Sequence, residues 1–227
     1  MRRLGIFFLL AGMAVLTVHR PLLAQKAGGG NVSTSYELGP ENKPELLTGS
    51  ERYSWQRPDR VIGMLAVREG ERVADIGAGL GYFSKMLSDL VGLTGKVYAV
   101  EFDSVLLDQL EKASAEYRNA NTTVIHATET DAGLPVGELD LALSVNTWHR
   151  FGDRTPMRAA VKKALKPGGR FVVVDWHMGE IPMLPAEARR LSREDLIKEM
   201  VADGWTLTTD SRLLAYQYLL VFSAPVP

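Results

Sequence analysis

Short apolar runs alternate with amphipathic segments along the chain from residue 58 onwards. The runs have the length and aliphatic content of buried strands, and they lie at residues 72–76, 96–100, 122–125, 139–143 and 170–174. In the other segments apolar residues recur every three or four positions, which predicts helices over residues 58–68, 81–91, 104–117, 155–165 and 192–202. This alternation predicts a parallel sheet with helices on both of its faces.

The pattern changes at the C-terminal end of the chain. Two apolar runs, at residues 205–209 and 216–222, follow one another without a helical segment between them. Strands that are joined in this way pair antiparallel. We therefore predict an α/β fold, built on a doubly wound, mostly parallel seven-stranded sheet with a C-terminal antiparallel strand.

The first 24 residues differ from the rest of the chain. Arg2 and Arg3 precede an apolar run over residues 4–18, and Ala24 has the small side chain that suits the last position before a signal-peptidase cut. The run is short for a membrane span, which needs about 20 residues; an uncleaved anchor is the alternative. We expect residues 1–24 to be a signal peptide that exports the chain to the periplasm or beyond, with no stable membrane insertion after cleavage.

The composition of the chain excludes several classes of function. Residues 25–50 are rich in glycine, serine, asparagine and proline, which predicts a flexible arm ahead of one domain over residues 51–227. The formal net charge of −1 leaves no basic surface for nucleic acid. The chain has no cysteine, which excludes disulfides, thiolate metal sites and a cysteine nucleophile. We predict no metal site, and the sequence does not indicate the oligomeric state.

The sharpest chemical signal is a glycine-rich loop over residues 75–81, Asp-Ile-Gly-Ala-Gly-Leu-Gly, which leaves a predicted strand and enters a predicted helix. Glycines allow a tight turn and a close approach of the backbone to a ligand. The dinucleotide pattern would need glycine in place of Tyr82, and no Gly-Lys-Ser/Thr of a phosphate-binding loop follows. Glu101 ends the second strand, where a carboxylate can accept hydrogen bonds from both ribose hydroxyls. The alternative is an ordinary strand-turn-helix connection with a surface acid nearby.

This loop, Glu101 and the Lys-Pro-Gly-Gly turn at residues 166–169 resemble the class I (Rossmann-like) S-adenosylmethionine-dependent methyltransferases, here an exported bacterial-type member. The resemblance spans residues 55–223. It implies S-adenosylmethionine as the cofactor and a transferred methyl group. The residues that it assigns to cofactor binding are Asp75, Gly77, Ala78, Gly79, Gly81, Glu101, Phe102, Asp131 and Asn146.

Some of these assignments have alternatives. In the family an acid after the third strand often meets the adenine amine, and Asp131 is assigned here with Glu129 as the alternative. Either acid could equally be a solvated loop charge. Phe102 could pack on the adenine, and Asn146, after the fourth strand, would lie closest to the reactive methyl group.

The acceptor side of the site is less defined. His149 is the candidate catalytic general base, because its unperturbed pKa is near neutrality; the alternative is that it orients its loop. Trp148 and Phe151 could form apolar walls, and Trp55 could belong to a lid or anchor the first helix. Without an inserted substrate domain, we expect a small-molecule acceptor. The competing hypothesis is a non-catalytic exported module that binds a nucleoside or a protein partner.

Overall fold

The computed structural model describes residues 51–128, 130–184 and 189–225. The predicted signal peptide over residues 1–24 and the predicted arm over residues 25–50 lie outside this part of the chain, as does Glu129. Of the helices that are described, none has both the length and the apolar character needed to cross a membrane.

Helices and strands alternate through the described residues. The helices are α1 (Glu51–Gln56), α2 (Pro58–Leu65), α3 (Tyr82–Val91), α4 (Ser104–Ala115), α5 (Thr155–Ala164) and α6 (Arg193–Ala202). The strands are β1 (Arg72–Ile76), β2 (Lys96–Glu101), β3 (Thr122–His126), β4 (Leu139–Val145), β5 (Leu165–Trp176), β6 (Thr206–Ser211) and β7 (Gln217–Ser223). A short 3-10 helix covers Trp148–Arg150.

The predicted fold class is confirmed. The sheet has the order β3-β2-β1-β4-β5-β7-β6, and β7 is the one strand of this sheet that runs against its neighbours. The chain passes from β1 outward to β3 on one side and then returns to place β4 on the other side of β1. This reversal of strand order creates a crevice at the carboxyl ends of β1 and β4, which is where open α/β sheets bind ligands.

Some helices and strands begin or end at other residues than predicted, for reasons that are local in the chain. Helix α2 stops at Leu65 because Ala66 adopts a left-handed backbone with φ 48°. Helix α1 was not predicted, since six residues are too few to show a helical period. The Lys-Pro-Gly-Gly segment at residues 166–169 is taken up at the start of β5, where the pairing with β4 shifts its register.

Both faces of the sheet are covered, which explains why the strands are apolar at nearly every position. On β1, Val73 contributes to the core beneath α2 and α3, with Leu65 and Leu87. Its neighbour Ala74 faces the opposite core, which contains Met157 of α5 and Leu196 of α6. The helices are thus held on opposite faces, and the loops at the carboxyl edge remain available for a site.

A carboxyl group is buried in β1 beside these apolar residues. Asp75 is 2% exposed, and its Oδ2 accepts a hydrogen bond from the Ser84 hydroxyl at 2.6 Å. Burial raises the pKa of Asp75 to about 6; Ser84 and the positive charge of Arg52 oppose the shift, and the nearby Glu101 adds to it. At neutral pH the fold therefore holds a carboxylate that would gain a proton more readily than in the unfolded chain.

The raised pKa predicts that Asp75 makes folding less favourable as the pH rises. The folded state binds the proton more tightly than the unfolded state, so stability falls between about pH 4 and pH 6 and the loss is complete above pH 6. A shift from 3.8 to about 6 corresponds to roughly 3 kcal/mol. We expect Asp75→Asn to raise the free energy of unfolding at pH 7.5 and to lose this advantage near pH 4, as measured by urea denaturation.

Asp89→Asn, which removes an exposed carboxylate from α3, is the control for the loss of one charge. A stability difference between Asp75→Asn and the wild type that stays constant from pH 4 to pH 7.5 would contradict the assignment.

Candidate active site

A cavity of about 900 Å³, including the solvent at its mouth, lies at the carboxyl edge of the sheet. The lining residues come from the glycine-rich loop (77–80), the end of β2 and the start of α4 (101–103 and 106), the loop after β4 (145–147, 150 and 151), and three single residues, Arg52, Trp55 and Trp176. Gly77, Ala78, Gly79, Glu101, Phe102 and Asn146 were assigned to the cofactor from the sequence, and the fold brings all of these to one cavity.

The glycines of the loop are required by its geometry. Gly77, Gly79 and Gly81 have φ values of 75°, 59° and 82°, in the left-handed region that other residues rarely adopt. A Cβ on Gly77 would overlap the Thr147 side chain, and one on Gly81 would overlap the Tyr117 hydroxyl. The loop therefore runs tightly between the ends of β1 and β4 and begins α3.

Glu101 links this loop to the end of β2. Its carboxylate is 5% exposed; Oε2 accepts a hydrogen bond from the Gly79 N–H at 2.6 Å, and Oε1 accepts from the N–H groups of Phe102 and Asp103 at 2.8 and 3.0 Å. A carboxylate has about four lone-pair sites, so acceptor capacity remains for a ligand hydroxyl. The Phe102 ring meets Phe151 edge to face at 5.2 Å. A fixed acceptor and an aromatic wall thus stand side by side, which suits a ribose and its base.

Three assigned residues lie outside the cavity lining. Asp75 is beneath the loop, bonded to Ser84. Gly81 is the N-cap of α3, and its carbonyl accepts a hydrogen bond from the Tyr117 hydroxyl at 3.0 Å. Asp131 is exposed and accepts a hydrogen bond from the Gly133 N–H at 2.9 Å, within its own turn. Contact between the cofactor and these residues stays a prediction; the position of Asp75 and Gly81 indicates that they shape the loop from behind.

Asn146 occupies the position expected for it after β4. It is a non-glycine residue with a left-handed φ of 55°, and such backbone strain is concentrated at functional sites. Its side-chain oxygen accepts a hydrogen bond from Gln217 Nε2, on β7. Gln217 is fully buried and has no sequence signal, because β7 reaches Asn146 only through the sheet order.

His149 is held by a buried acid that sequence reasoning missed. Its Nδ1 lies 2.7 Å from Asp175 Oδ1, and its backbone N–H donates to Asp175 Oδ2 at 3.0 Å. The same carboxylate accepts from the Trp176 N–H at 2.9 Å. His149 is 2% exposed and is absent from the cavity lining, so this geometry favours the loop-orienting alternative over the general base.

The aromatic residues divide between the core and the cavity. Trp148 is fully buried, with its ring 4.8 Å from that of Phe171, so it belongs to the core rather than to an acceptor wall. Phe151 does line the cavity, as expected. Trp55 of α1 also lines it and stacks on Trp176, with 5.1 Å between ring centroids. Trp55 thus both anchors α1 and forms part of the site.

Arg52 is the other residue that α1 brings to the cavity. It is 6% exposed, and its guanidinium lies 4.2 Å from the centroid of the Tyr82 ring. Arg52 and Trp55 are three residues apart, so they share one face of α1; that spacing was the available signal. Among the described residues, no group of three or more histidines and acids is arranged to hold a metal ion.

Comparison with known proteins agrees with this geometry. Residues 74–173 match the model of a methyltransferase domain. The chain is 25% identical over 190 residues to the ubiquinone/menaquinone biosynthesis C-methyltransferase of Francisella philomiragia, covering 83% of this chain and 71% of that protein. Other relatives with the same name match over 55% of their length, so the chain spans about half of each of them.

Solved structures show the same fold. A SAM-dependent methyltransferase from Aquifex aeolicus superposes with a TM-score of 0.75 at 21% identity, covering 82% of this chain and 98% of that one. A glycopeptide N-methyltransferase, solved with S-adenosylmethionine, gives a TM-score of 0.60 at 16% identity over 74% of this chain and 93% of its own. With the matched domain and the cavity built on its glycine-rich loop, these findings support a class I methyltransferase: the chain is an enzyme that uses S-adenosylmethionine.

Proposed function

We propose that this methyltransferase acts on a small molecule with an electron-rich aromatic ring, and that it does so outside the cytoplasm. The observation that carries the proposal is the division of the cavity. One side has the acceptor groups that suit a nucleoside, at Glu101 and Phe102, and the other has the stacked indoles of Trp55 and Trp176. The second side is therefore the place for the methyl acceptor.

The residues of the first side fit the cofactor. Glu101 would accept a hydrogen bond from a ribose hydroxyl, and Phe102 would flank the adenine. When bound, the sulfonium of S-adenosylmethionine supplies an electrophilic methyl group. Asn146, whose side-chain oxygen accepts a hydrogen bond from Gln217, also lines the cavity.

The residues of the second side fit a planar, apolar ligand. Aromatic rings prefer stacked or edge-to-face partners, and Trp55, Trp176 and Phe151 all line the cavity. Ile181 and Leu184 form a buried cluster with the two tryptophans, and these two residues also line a neighbouring groove. The groove would accept an apolar substituent on the ring. The Francisella relative is named for ubiquinone and menaquinone biosynthesis, which supports this acceptor class.

Catalysis in this site rests on alignment. Transfer from a sulfonium has a good leaving group, so holding the acceptor in line supplies much of the rate enhancement. The Asp175 carboxylate ties the loop that contains Phe151 to the end of β5, which contains Trp176, and so keeps two walls of the acceptor side in register. A general-base role for His149 stays a prediction. The non-catalytic alternative is not favoured, since the cavity keeps both its loop and its acid.

The acceptor class is tested by turnover. The full chain is incubated with S-adenosylmethionine and either reduced 1,4-naphthoquinone, catechol or an aliphatic amine of similar size, and S-adenosylhomocysteine is measured by mass spectrometry. We expect product with the ring-bearing probes and background with the amine, because the amine is protonated near neutral pH and so lacks the lone pair that would accept the methyl group. Gly79→Arg, which fills the loop, gives the background.

Turnover confined to the aliphatic amine, or no turnover with any ring probe by a chain that binds the cofactor, would contradict the aromatic acceptor. With an active probe, the pH profile of His149→Gln separates the two roles of His149. A lower rate with an unchanged profile fits loop orientation, whereas loss of the acidic limb shows a base.

The proposal that the chain is exported rests on the sequence of the predicted signal peptide, residues 1–24. The two arginines, the apolar run over residues 4–18 and Ala24 have the order of a secretory signal. Cleavage after Ala24 leaves a chain that begins at Gln25. An exported enzyme of this kind depends on S-adenosylmethionine that has crossed the membrane, since the cofactor is made in the cytoplasm.

The mature N-terminus tests this proposal. When the full-length gene product is expressed in a bacterium and fractionated, we expect intact mass to give a chain starting at Gln25 in the exported fraction. Ala24→Arg removes the small side chain that the peptidase requires before the cut. The variant should therefore keep its signal peptide. A wild-type chain that starts at Met1 in the cytoplasmic fraction would contradict export.

A further inference from the structure

We propose, resting on the proposed function, that the methyl acceptor is a phenol whose hydroxyl group is held between the Trp176 indole and the Gln217 side-chain amide. Trp176 and Gln217 would then determine specificity on the acceptor side of the cavity. A buried donor and a buried acceptor without partners carry this inference, together with the strand pairing that puts them side by side.

Trp176 has a buried indole N–H group without a partner. The residue lines the cavity, is 3% exposed and stacks on Trp55. Its Nε1 atom donates no hydrogen bond to any described residue. Within the described part of the chain, Trp176 is the one residue of the cavity lining that has a buried side-chain polar atom without a partner. A buried donor without a partner costs about 1–3 kcal/mol, so a ligand atom that accepted from this N–H would be bound more tightly.

Gln217 supplies a matching acceptor. It is fully buried, and its Nε2 atom donates a hydrogen bond to Asn146, which lines the cavity. The other end of the amide, Oε1, is buried and accepts no hydrogen bond from the described residues. Because the bond to Asn146 engages the nitrogen, the oxygen is the end of the amide that remains for a ligand.

Strand pairing places these two side chains next to each other. Trp176 of β5 and Gln217 of β7 are direct partners in the antiparallel ladder, so they lie on the same face of the sheet. The Cβ atoms of such a pair are about 5 Å apart. Asp175, the preceding residue, points to the opposite face and bonds to His149. One small group of a ligand can therefore lie within reach of both the indole N–H and the amide oxygen.

A hydroxyl group is the substituent that satisfies both atoms. Its oxygen accepts from the Trp176 indole N–H, and its proton is donated to Gln217 Oε1. A carbonyl or ether oxygen would satisfy the indole alone, and an ammonium group would satisfy the amide alone. On a ring that packs against the aromatic residues of the acceptor side, such a hydroxyl makes the acceptor a phenol. A hydroxyl substituent also donates electron density to its ring, in agreement with an electron-rich acceptor.

Two probes of nearly equal shape test this assignment: 1-naphthol, and 1-methylnaphthalene, in which a methyl group replaces the hydroxyl. Equilibrium dialysis against the full chain saturated with S-adenosylhomocysteine gives both affinities without turnover. Trp176→Phe keeps a ring in the stack and removes the indole N–H, and Gln217→Met removes the amide oxygen. We expect each variant to shift the ratio of the two affinities by roughly 5- to 100-fold against 1-naphthol, from the loss of one partner of a buried group.

Each variant has a matched control. Trp55→Phe makes the same change in the other indole of the stack, and Gln109→Met makes the same change at an exposed glutamine of α4. Neither control should change the ratio, because Trp55 has no buried, unpartnered donor and Gln109 does not line the cavity. A loss of stacking in Trp55→Phe should affect both probes alike.

A thermal melt shows whether each variant is folded, and a measurement on the wild type serves where one is not. The indole N–H proton of Trp176 should lie further downfield in the NMR spectrum with 1-naphthol than with 1-methylnaphthalene, because a hydrogen bond deshields the proton. Stacking of either probe on the tryptophans would not produce this difference.

A ratio that Trp176→Phe or Gln217→Met leaves unchanged would overturn the shared hydroxyl site. An indole proton that responds equally to both probes, or a ratio that shifts as much in the control variants, would overturn it as well. A folded wild-type chain that binds S-adenosylhomocysteine but neither probe would contradict the aromatic acceptor of the proposed function, which the other outcomes leave standing.

Discussion

The hydrogen bond between the Glu101 carboxylate and the Gly79 N–H joins the two parts of the chain on which the site depends. It closes the glycine-rich loop onto the end of β2, and the N–H groups of Phe102 and Asp103 hold the same carboxylate from the other side. The cavity takes its shape from this closure, since the loop forms one wall and the residues after Glu101 form the next. The acid that organises this cavity is also the acceptor that we predict for the ribose, so one side chain would serve both recognition and architecture.

The fold and half of the site could be predicted because their signals are local in sequence. Each strand or helix period lies within a short run of residues, the glycine-rich loop is a single short motif, and Glu101 directly follows a predicted strand. The alternation of strands and helices predicted a parallel sheet with helices on both faces. Asp175 and Gln217 could not be predicted, since each reaches the site through strand pairing over long sequence separations. His149 shows the limit of residue type as a guide: a histidine in the expected loop is buried on Asp175 and outside the cavity lining.

The buried charged residues near this site lower the stability of the fold. Asp75 and Arg52 are both more than nine-tenths buried close to the glycine-rich loop, where burial shifts the pKa of each toward its neutral form. Apolar residues at these positions would avoid this desolvation. Their position beneath and beside a ligand cavity is consistent with a role in binding rather than in stability. At many functional sites, residues that the function requires make the fold less stable in this way.

The central claim is that S-adenosylmethionine binds in this cavity through Glu101, and calorimetry on the full chain tests it most directly. The account predicts micromolar binding that Glu101→Ala weakens by about 2–3 kcal/mol, from the loss of a charge-assisted hydrogen bond to the ribose, and that Gly79→Arg abolishes. Glu111→Ala, an exposed acid on α4, should bind as the wild type does. A folded wild-type chain that does not bind S-adenosylmethionine, or one whose affinity is unchanged by Glu101→Ala, would contradict the account.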